Sequence, residues 1–199
     1  MKQFFRRFRR IRLQQADISQ LSDRVLLANL YLTQALTAVV GLIVLGLQGR
    51  SPLGLLAWPD GGDWLLFGAG AALAVVGGEA AVTRLVPEEA WDDGGINERL
   101  FAARPLWHIA VIAATAAVCE ELLFRGAIQH AWGAYWTSVL FAAIHVRYWR
   151  HWLMTGLVFA ISYGLGWIYQ QTGTLWAPIL AHFLIDFSGG CMIRYGRKS

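Results

Sequence analysis

The stretch Pro105 to Arg125, PLWHIAVIAATAAVCEELLFR, is apolar enough to cross a bilayer, yet it ends in two adjacent glutamates, Glu120 and Glu121, followed by Arg125. An ionisable group in hydrocarbon costs about 2.5 kcal/mol or more. Such groups therefore face a protein interior or a wet cavity, and their default reading is functional. The rest of the chain has the same character. Of 199 residues, 56% are hydrophobic and only 15% are charged, which is too apolar for an ordinary soluble domain. Val25 to Leu47 is an uncharged apolar run, and about 20 residues suffice to cross a hydrocarbon core. Segments 64–85, 105–124, 134–149, 152–169 and 175–193 complete a set of six, the fourth being the least apolar. The fold class expected is an all-α, polytopic transmembrane helical bundle of about six spans, with the active site buried among the last four.

Charge sets the orientation. Residues 1–24 read as a basic, amphipathic cytoplasmic leader, with Arg6, Arg7, Arg9, Arg10 and Arg12 beside Phe4, Phe5 and Phe8. A basic and aromatic segment before a first span fits anionic headgroups and the positive-inside rule, so nucleic acid is not an expected partner. The run that follows has no cleavage pattern close behind it and is read as an anchor rather than a signal peptide. With the leader inside, Arg84, Arg99, Arg104, Arg147, Arg150, Arg194, Arg197 and Lys198 all fall inside, whereas Arg50 and Arg125 fall outside. Tryptophans near the proposed span ends form interfacial belts. The acidic connection 87–104 predicts a short surface helix after Gly94-Gly95. Without repeats or long linkers, residues 25–195 read as one transmembrane domain. Gly68 to Ala72 and Ala113 to Ala117 supply small residues for close helix packing. Cys119 and Cys191, both in apolar surroundings, read as buried thiols rather than a disulfide framework.

Neighbouring residues on a helix point about 100° apart, so Glu120 and Glu121 are not expected in the same pocket. Arg125 follows Glu121 by four residues, the favourable order for an ion pair on one face. That pairing leaves Glu120 as the free carboxylate and the candidate general base. His145 at the end of Phe141-Ala142-Ala143-Ile144-His145, and His182 with Asp186 one turn on, lie on two other spans. Counting about 1.5 Å per residue, Glu120, His145 and His182 can all reach the outer half or the middle of the bilayer. Glu79 is read as snorkelling or capping a helix contact, and Gln129 and His130 as shaping the cavity mouth. Taken singly, each polar residue is better read as structural. Two acids, an arginine, two histidines and an aspartate on three apolar spans together point to function.

The elements Glu120-Glu121-Leu122-Leu123-Phe124-Arg125, Phe141 to His145 and His182 to Asp186 resemble, in order, the three motifs of the CPBP family, E-E-x-x-x-R, F-x-x-x-H and H-x-x-x-N/D. This family of CAAX prenyl proteases of the Rce1 type and bacterial bacteriocin-processing relatives is also called the Abi family. The resemblance spans about Val111 to Cys191. It implies an intramembrane endopeptidase in which Glu120 and His145 hold and activate a water while His182 and Asp186 stabilise the oxyanion. Asp186 stands where the prenyl proteases carry asparagine, and an ionised carboxylate cannot donate to an oxyanion. Its role is then to orient His182, to act protonated or to bind a cation. A metal-free glutamate mechanism is the first expectation, because no H-E-x-x-H element is present. Zinc, if used, would sit on Glu120, His145 and His182. The expected setting is a bacterial inner membrane, with a membrane-associated protein or peptide as substrate, processed at a leader or a C-terminal sorting tail. The resemblance implies a site worked from the cytosol, whereas the residue count favours the outer half. Two other classes are a non-catalytic immunity or partner-binding protein of the same fold and a proton-coupled carrier. The intact acids weigh against the first and the lack of inverted repeats against the second.

Overall fold

The structure is a computed structural model that describes residues 21–86, 95–149 and 151–196. The leader up to residue 20, the acids Glu88, Glu89, Asp92 and Asp93, and the basic residues Arg150, Arg197 and Lys198 lie outside the described residues. Among the described residues there is no strand. The elements are α1 (Asp23–Leu47), α2 (Pro52–Leu55), α3 (Asp63–Val82), α4 (Ile96–Phe101), α5 (Leu106–Glu121), a π-helical segment (Leu122–Ile128), α6 (Gln129–Ile144), a 3₁₀ turn (Val146–Tyr148), α7 (Trp152–Thr172) and α8 (Trp176–Tyr195).

Local chemistry sets the ends of these helices. Ser22 caps α1 by accepting from the Val25 amide at 3.4 Å, with Asp23 in the first turn to complement the helix dipole. Ser51 and Pro52 start α2 in the same manner. The predicted surface helix is α4, which begins immediately after Gly95.

Among the described residues, five helical stretches are long and apolar enough to cross a membrane, and one of them, Leu106–Ile144, runs for 39 residues. At about 1.5 Å per residue that is nearly twice a hydrocarbon thickness. The chain resolves the excess by reversing at Gly133, whose φ of 71° and ψ of 170° break the helix where only glycine is unstrained. Phe141 thereby returns onto Phe124, with ring centroids 4.8 Å apart, although a straight helix would separate them by about 25 Å. The bundle thus makes about six passes. The connection between the third and fourth expected spans is itself helical up to Gly133, and the fourth, from residue 134, begins at the reversal.

Direction follows from the contacts. Tyr31 meets His108, Gln34 meets Glu120 and Gln48 meets Ala127, so α1 runs parallel to α5 and the π segment. α8 runs the other way beside them, with Gly190 against Ile109. α3 packs parallel to α8 through Gly68, where a Cβ would stand 2.8 Å from the Ala177 carbonyl oxygen. That approach is the small-residue packing the sequence predicts, and Ala113, Ala116 and Ala117 are likewise buried. Outward-facing Leu36, Ile43, Leu66 and Leu73 remain largely exposed, a surface suited to lipid. Gln34, Glu121, Arg125, Ser162 and His182 are buried inside.

Candidate active site

The buried stripe of α5 is Ile109, Ile112, Ala113, Ala116, Ala117 and Glu121, the spacing of one helix face. Glu121 thus points where an alanine would point, into the centre of the bundle, and it is fully buried. Its Oε2 lies 2.9 Å from Arg125 Nε, close enough for an ion pair although not aligned as a hydrogen bond. Its Oε1 accepts from His182 Nδ1 at 2.8 Å. Arg125, also fully buried, donates to Ser162 Oγ at 3.2 Å and lies 5.6 Å from the Phe141 ring centroid. Four of the bundle's segments, α5, the π segment, α7 and α8, are pinned by these contacts around one carboxylate.

Glu120 is treated differently. Its Oε1 accepts from Gln34 Nε2 at 2.8 Å, and its Oε2 stands 4.0 Å from His182 Nε2. Asp186 Oδ2 approaches the same nitrogen at 3.5 Å, one turn along α8, and is more exposed than either glutamate. The two adjacent glutamates therefore approach the two nitrogens of one imidazole. The expectation that they cannot share a pocket is corrected: side chains of this length, straddling the edge of the helix stripe, converge on a ring presented by a neighbouring helix.

His145 lies at the end of α6, where its Nδ1 donates to the Phe141 carbonyl at 2.7 Å and its ring stacks 6.1 Å from Tyr148. A carbonyl only accepts, so Nδ1 carries the proton and a neutral ring leaves the Nε2 lone pair free. His145 is not hydrogen-bonded to Glu120, His182 or Asp186. Among the described residues, no group of three or more His, Cys, Asp or Glu side chains is placed to hold a metal. Of the Glu120, His145 and His182 set considered for zinc, His145 makes no direct contact with the other two, and Glu121 holds His182 by Nδ1 with Nε2 left toward Glu120.

The π segment supports the site from behind. Its wider turns, of the i→i+5 kind, include a bond from the Gln129 amide to the Phe124 carbonyl. Carbonyls displaced by this winding need other donors. Gln48 Nε2 donates to the Ala127 carbonyl at 3.0 Å and Arg50 to that of Gly126. Gln129, expected at a cavity mouth, is instead buried and donates to the Gly166 carbonyl at 2.8 Å, while His130 is exposed. Glu79 neither caps a helix contact nor pairs; among the described residues its carboxylate has no hydrogen-bond or ion-pair partner, and it lines a crevice.

Residues that the sequence reading passed over are Gln34 and Ser162, each the single polar partner that α1 and α7 contribute to the cluster. Gln34 is one of two amides, with Asn29, in an otherwise uncharged apolar run, a usable signal that did not single it out. Ser162, a residue common in spans, carried none.

Residues 102–188 match the Rce1-like family, described as type II CAAX prenyl endopeptidase. The chain is also 41% identical over 129 residues, 65% of its length and 68% of the relative's, to the uncharacterized protein YpbD of Bacillus subtilis (strain 168). No solved structure matches it. The family match begins just before α5 and ends just after Asp186, so it takes in every helix that lends an acid, histidine or arginine to the cluster. A membrane bundle with that likeness confined to its polar centre belongs to the Rce1-like CAAX protease family.

Proposed function

We propose that the chain is an intramembrane endopeptidase in which Glu120 is the general base, acting without a metal. The observation that carries the reading is the unequal treatment of the two glutamates. Glu121 has both oxygens engaged by Arg125 and His182, while Glu120 is tethered at one oxygen and presents the other across 4.0 Å to His182 Nε2. That separation is too long for a hydrogen bond and suits a bridging water.

In the proposed reaction, Glu120 takes a proton from this water as the oxygen attacks the peptide carbonyl. The Nε2 lone pair of His145 helps hold the water from the α6 side. The developing oxyanion is met by Nε2–H of His182 in its doubly protonated form, with Nδ1 fixed by Glu121 and the outer nitrogen oriented by Asp186. Protonated Glu120 then delivers its proton to the leaving amine as the C–N bond breaks. Asp186 is here a positioning residue.

The substrate is a membrane-associated protein or peptide. The setting proposed is a bacterial inner membrane with the Asp23 end cytoplasmic, supported by Arg24, Arg84, Arg99, Arg104, Arg147 and Arg194 at that end and Arg50 at the other.

The test is cleavage of leader-bearing and tail-anchored peptides by the purified chain in lipid vesicles. Glu120→Gln is expected to lower the rate by about 10²–10⁴. Chelator treatment is expected to leave the wild-type rate unchanged. Loss under chelation with recovery on adding zinc would overturn the metal-free mechanism. Equal behaviour of wild type and Glu120→Gln on every peptide would remove the protease reading in favour of a binding or immunity protein.

A further inference from the structure

Behind the catalytic cluster, α3, α7 and α8 leave a crevice of about 290 Å³ between them. Its walls are almost entirely apolar: Ala71, Ala74 and Gly78 from α3 face Ala160, Gly164 and Ile168 from α7. The α3 wall extends from Ala71 to Val82, about 16 Å along the helix axis. An extended peptide rises about 3.3 Å per residue, so this length takes roughly five residues. Two features distinguish the crevice from an accident of packing. Ile185 lines it, so it adjoins Asp186 and the catalytic cluster. Glu79 also lines it, the one acid among its walls, and interacts electrostatically with Asp186.

Among the described residues Glu79 has no partner, and an ionised carboxylate in surroundings this apolar is costly unless it meets a cation or takes up a proton. The neighbouring basic residue Arg84 is five positions on, beyond the end of α3, and makes no ion pair with it. An occupant complementary to the whole crevice is therefore apolar for several residues and carries one positive charge where Glu79 lies. The α3 wall precedes residues 102–188, the part matched to the family, so this feature is not part of the shared catalytic segment.

We propose that this crevice is a specificity subsite that receives the apolar, membrane-embedded segment of the peptide substrate, with Glu79 pairing a lysine or arginine that flanks it. This deepens the protease reading by naming the substrate class, and it rests on that reading for the position of the scissile bond. Lipid tails fit the apolar walls equally well but give Glu79 nothing to pair with.

The test is binding of dansyl-labelled leucine–alanine peptides, differing only in a terminal lysine, glutamine or glutamate, to the full chain in detergent micelles. The lysine peptide is expected to bind about tenfold tighter than the glutamine peptide, as one desolvated charge pair supplies. Glu79→Gln abolishes that preference, and Glu79→Lys transfers it to the glutamate peptide, a reversal that misfolding cannot imitate. Gly164→Leu, at a position where an added side chain grows into open space, weakens all three peptides alike. Persistence of the lysine preference in Glu79→Gln overturns the proposal. So does indifference of wild type to the terminal residue, the result expected of an acyl-chain groove. A charge preference that follows residue 79, in a wild-type chain that cuts no membrane peptide, sustains the subsite while removing the protease reading.

Discussion

The two sides of the polar cluster share one peptide bond and the imidazole of His182, but little else. On the Glu121 side every polar group is dry and held between helices: a fully buried carboxylate, a fully buried guanidinium, and a serine and an imidazole closing the set. On the Glu120 side one carboxylate oxygen is fixed by an amide from α1, and the other faces an imidazole and a more exposed aspartate across gaps of 4.0 and 3.5 Å. Buried ion pairs add little net stability, but breaking one is severe because the survivor is left uncompensated. The locked side therefore governs whether the bundle assembles, and in the proposed reaction the open side governs what it does once assembled.

The most damaging way to break this division is Arg125→Met. It removes the cation while leaving Glu121 buried, and about 3–5 kcal/mol of stability should be lost. Thermal unfolding of the purified chain, or its yield in the membrane, reads the effect. The double variant Arg125→Met with Glu121→Leu should recover much of the loss, since no charge is then stranded. A melting temperature unchanged in Arg125→Met would show that the lock does not hold the helices together.

The paired glutamine substitutions sharpen the contrast from the other side. Glu121→Gln should lower the melting temperature, because Arg125 is left buried without a counter-charge. Glu120→Gln keeps an oxygen for the Gln34 amide and strands no fully buried charge, so its melting loss should be smaller than that of Glu121→Gln while its turnover falls. Equal melting losses in the two variants would erase the distinction between lock and base.

Gln34→Leu probes how Glu120 is held. The amide donates to Oε1 at 2.8 Å, and a hydrogen bond to a charged group is worth about 1.5–3 kcal/mol. A freely rotating Glu120 is a poorer base, so turnover should fall about tenfold or more, with KM nearly constant. Gln34→Glu, which keeps the length but reverses the polarity of the contact, should be worse than Gln34→Leu. If both variants retain the wild-type rate, Glu120 needs no positioning from α1.

These contrasts were unequally legible in the sequence. Spans could be read because hydrocarbon imposes length and composition on each helix separately. The Glu121–Arg125 pair could be read because both residues lie on one helix. Gln34, 86 positions from Glu120, and Ser162, 37 from Arg125, could not be assigned, since only the packing of separate helices brings them there. The fourth span was legible as a segment from residue 134, but not the helical form of the connection before it: nothing in Leu122–Ile128 announces a π winding, and Gly133 reads as an ordinary glycine until Phe141 is seen returning onto Phe124. The assumption that adjacent acids diverge failed because it considered one helix, whereas the ring of His182 belongs to another.

The smallest expected effect tests whether the π winding belongs to the lock. Gln48 Nε2 donates to the Ala127 carbonyl at 3.0 Å from the connection after α1, and Arg50 donates to Gly126 alongside it. Gln48→Ala leaves that carbonyl without its side-chain donor, at a cost of about 0.5–1.5 kcal/mol. Because the bond is made to the backbone two residues past Arg125 and touches neither acid, the loss should appear in thermal unfolding and leave turnover at low temperature within about twofold of wild type. A larger fall in rate than in stability would mean that the π segment sets the position of the acids as well as anchoring them, and that the locked side reaches into the chemistry of the open one.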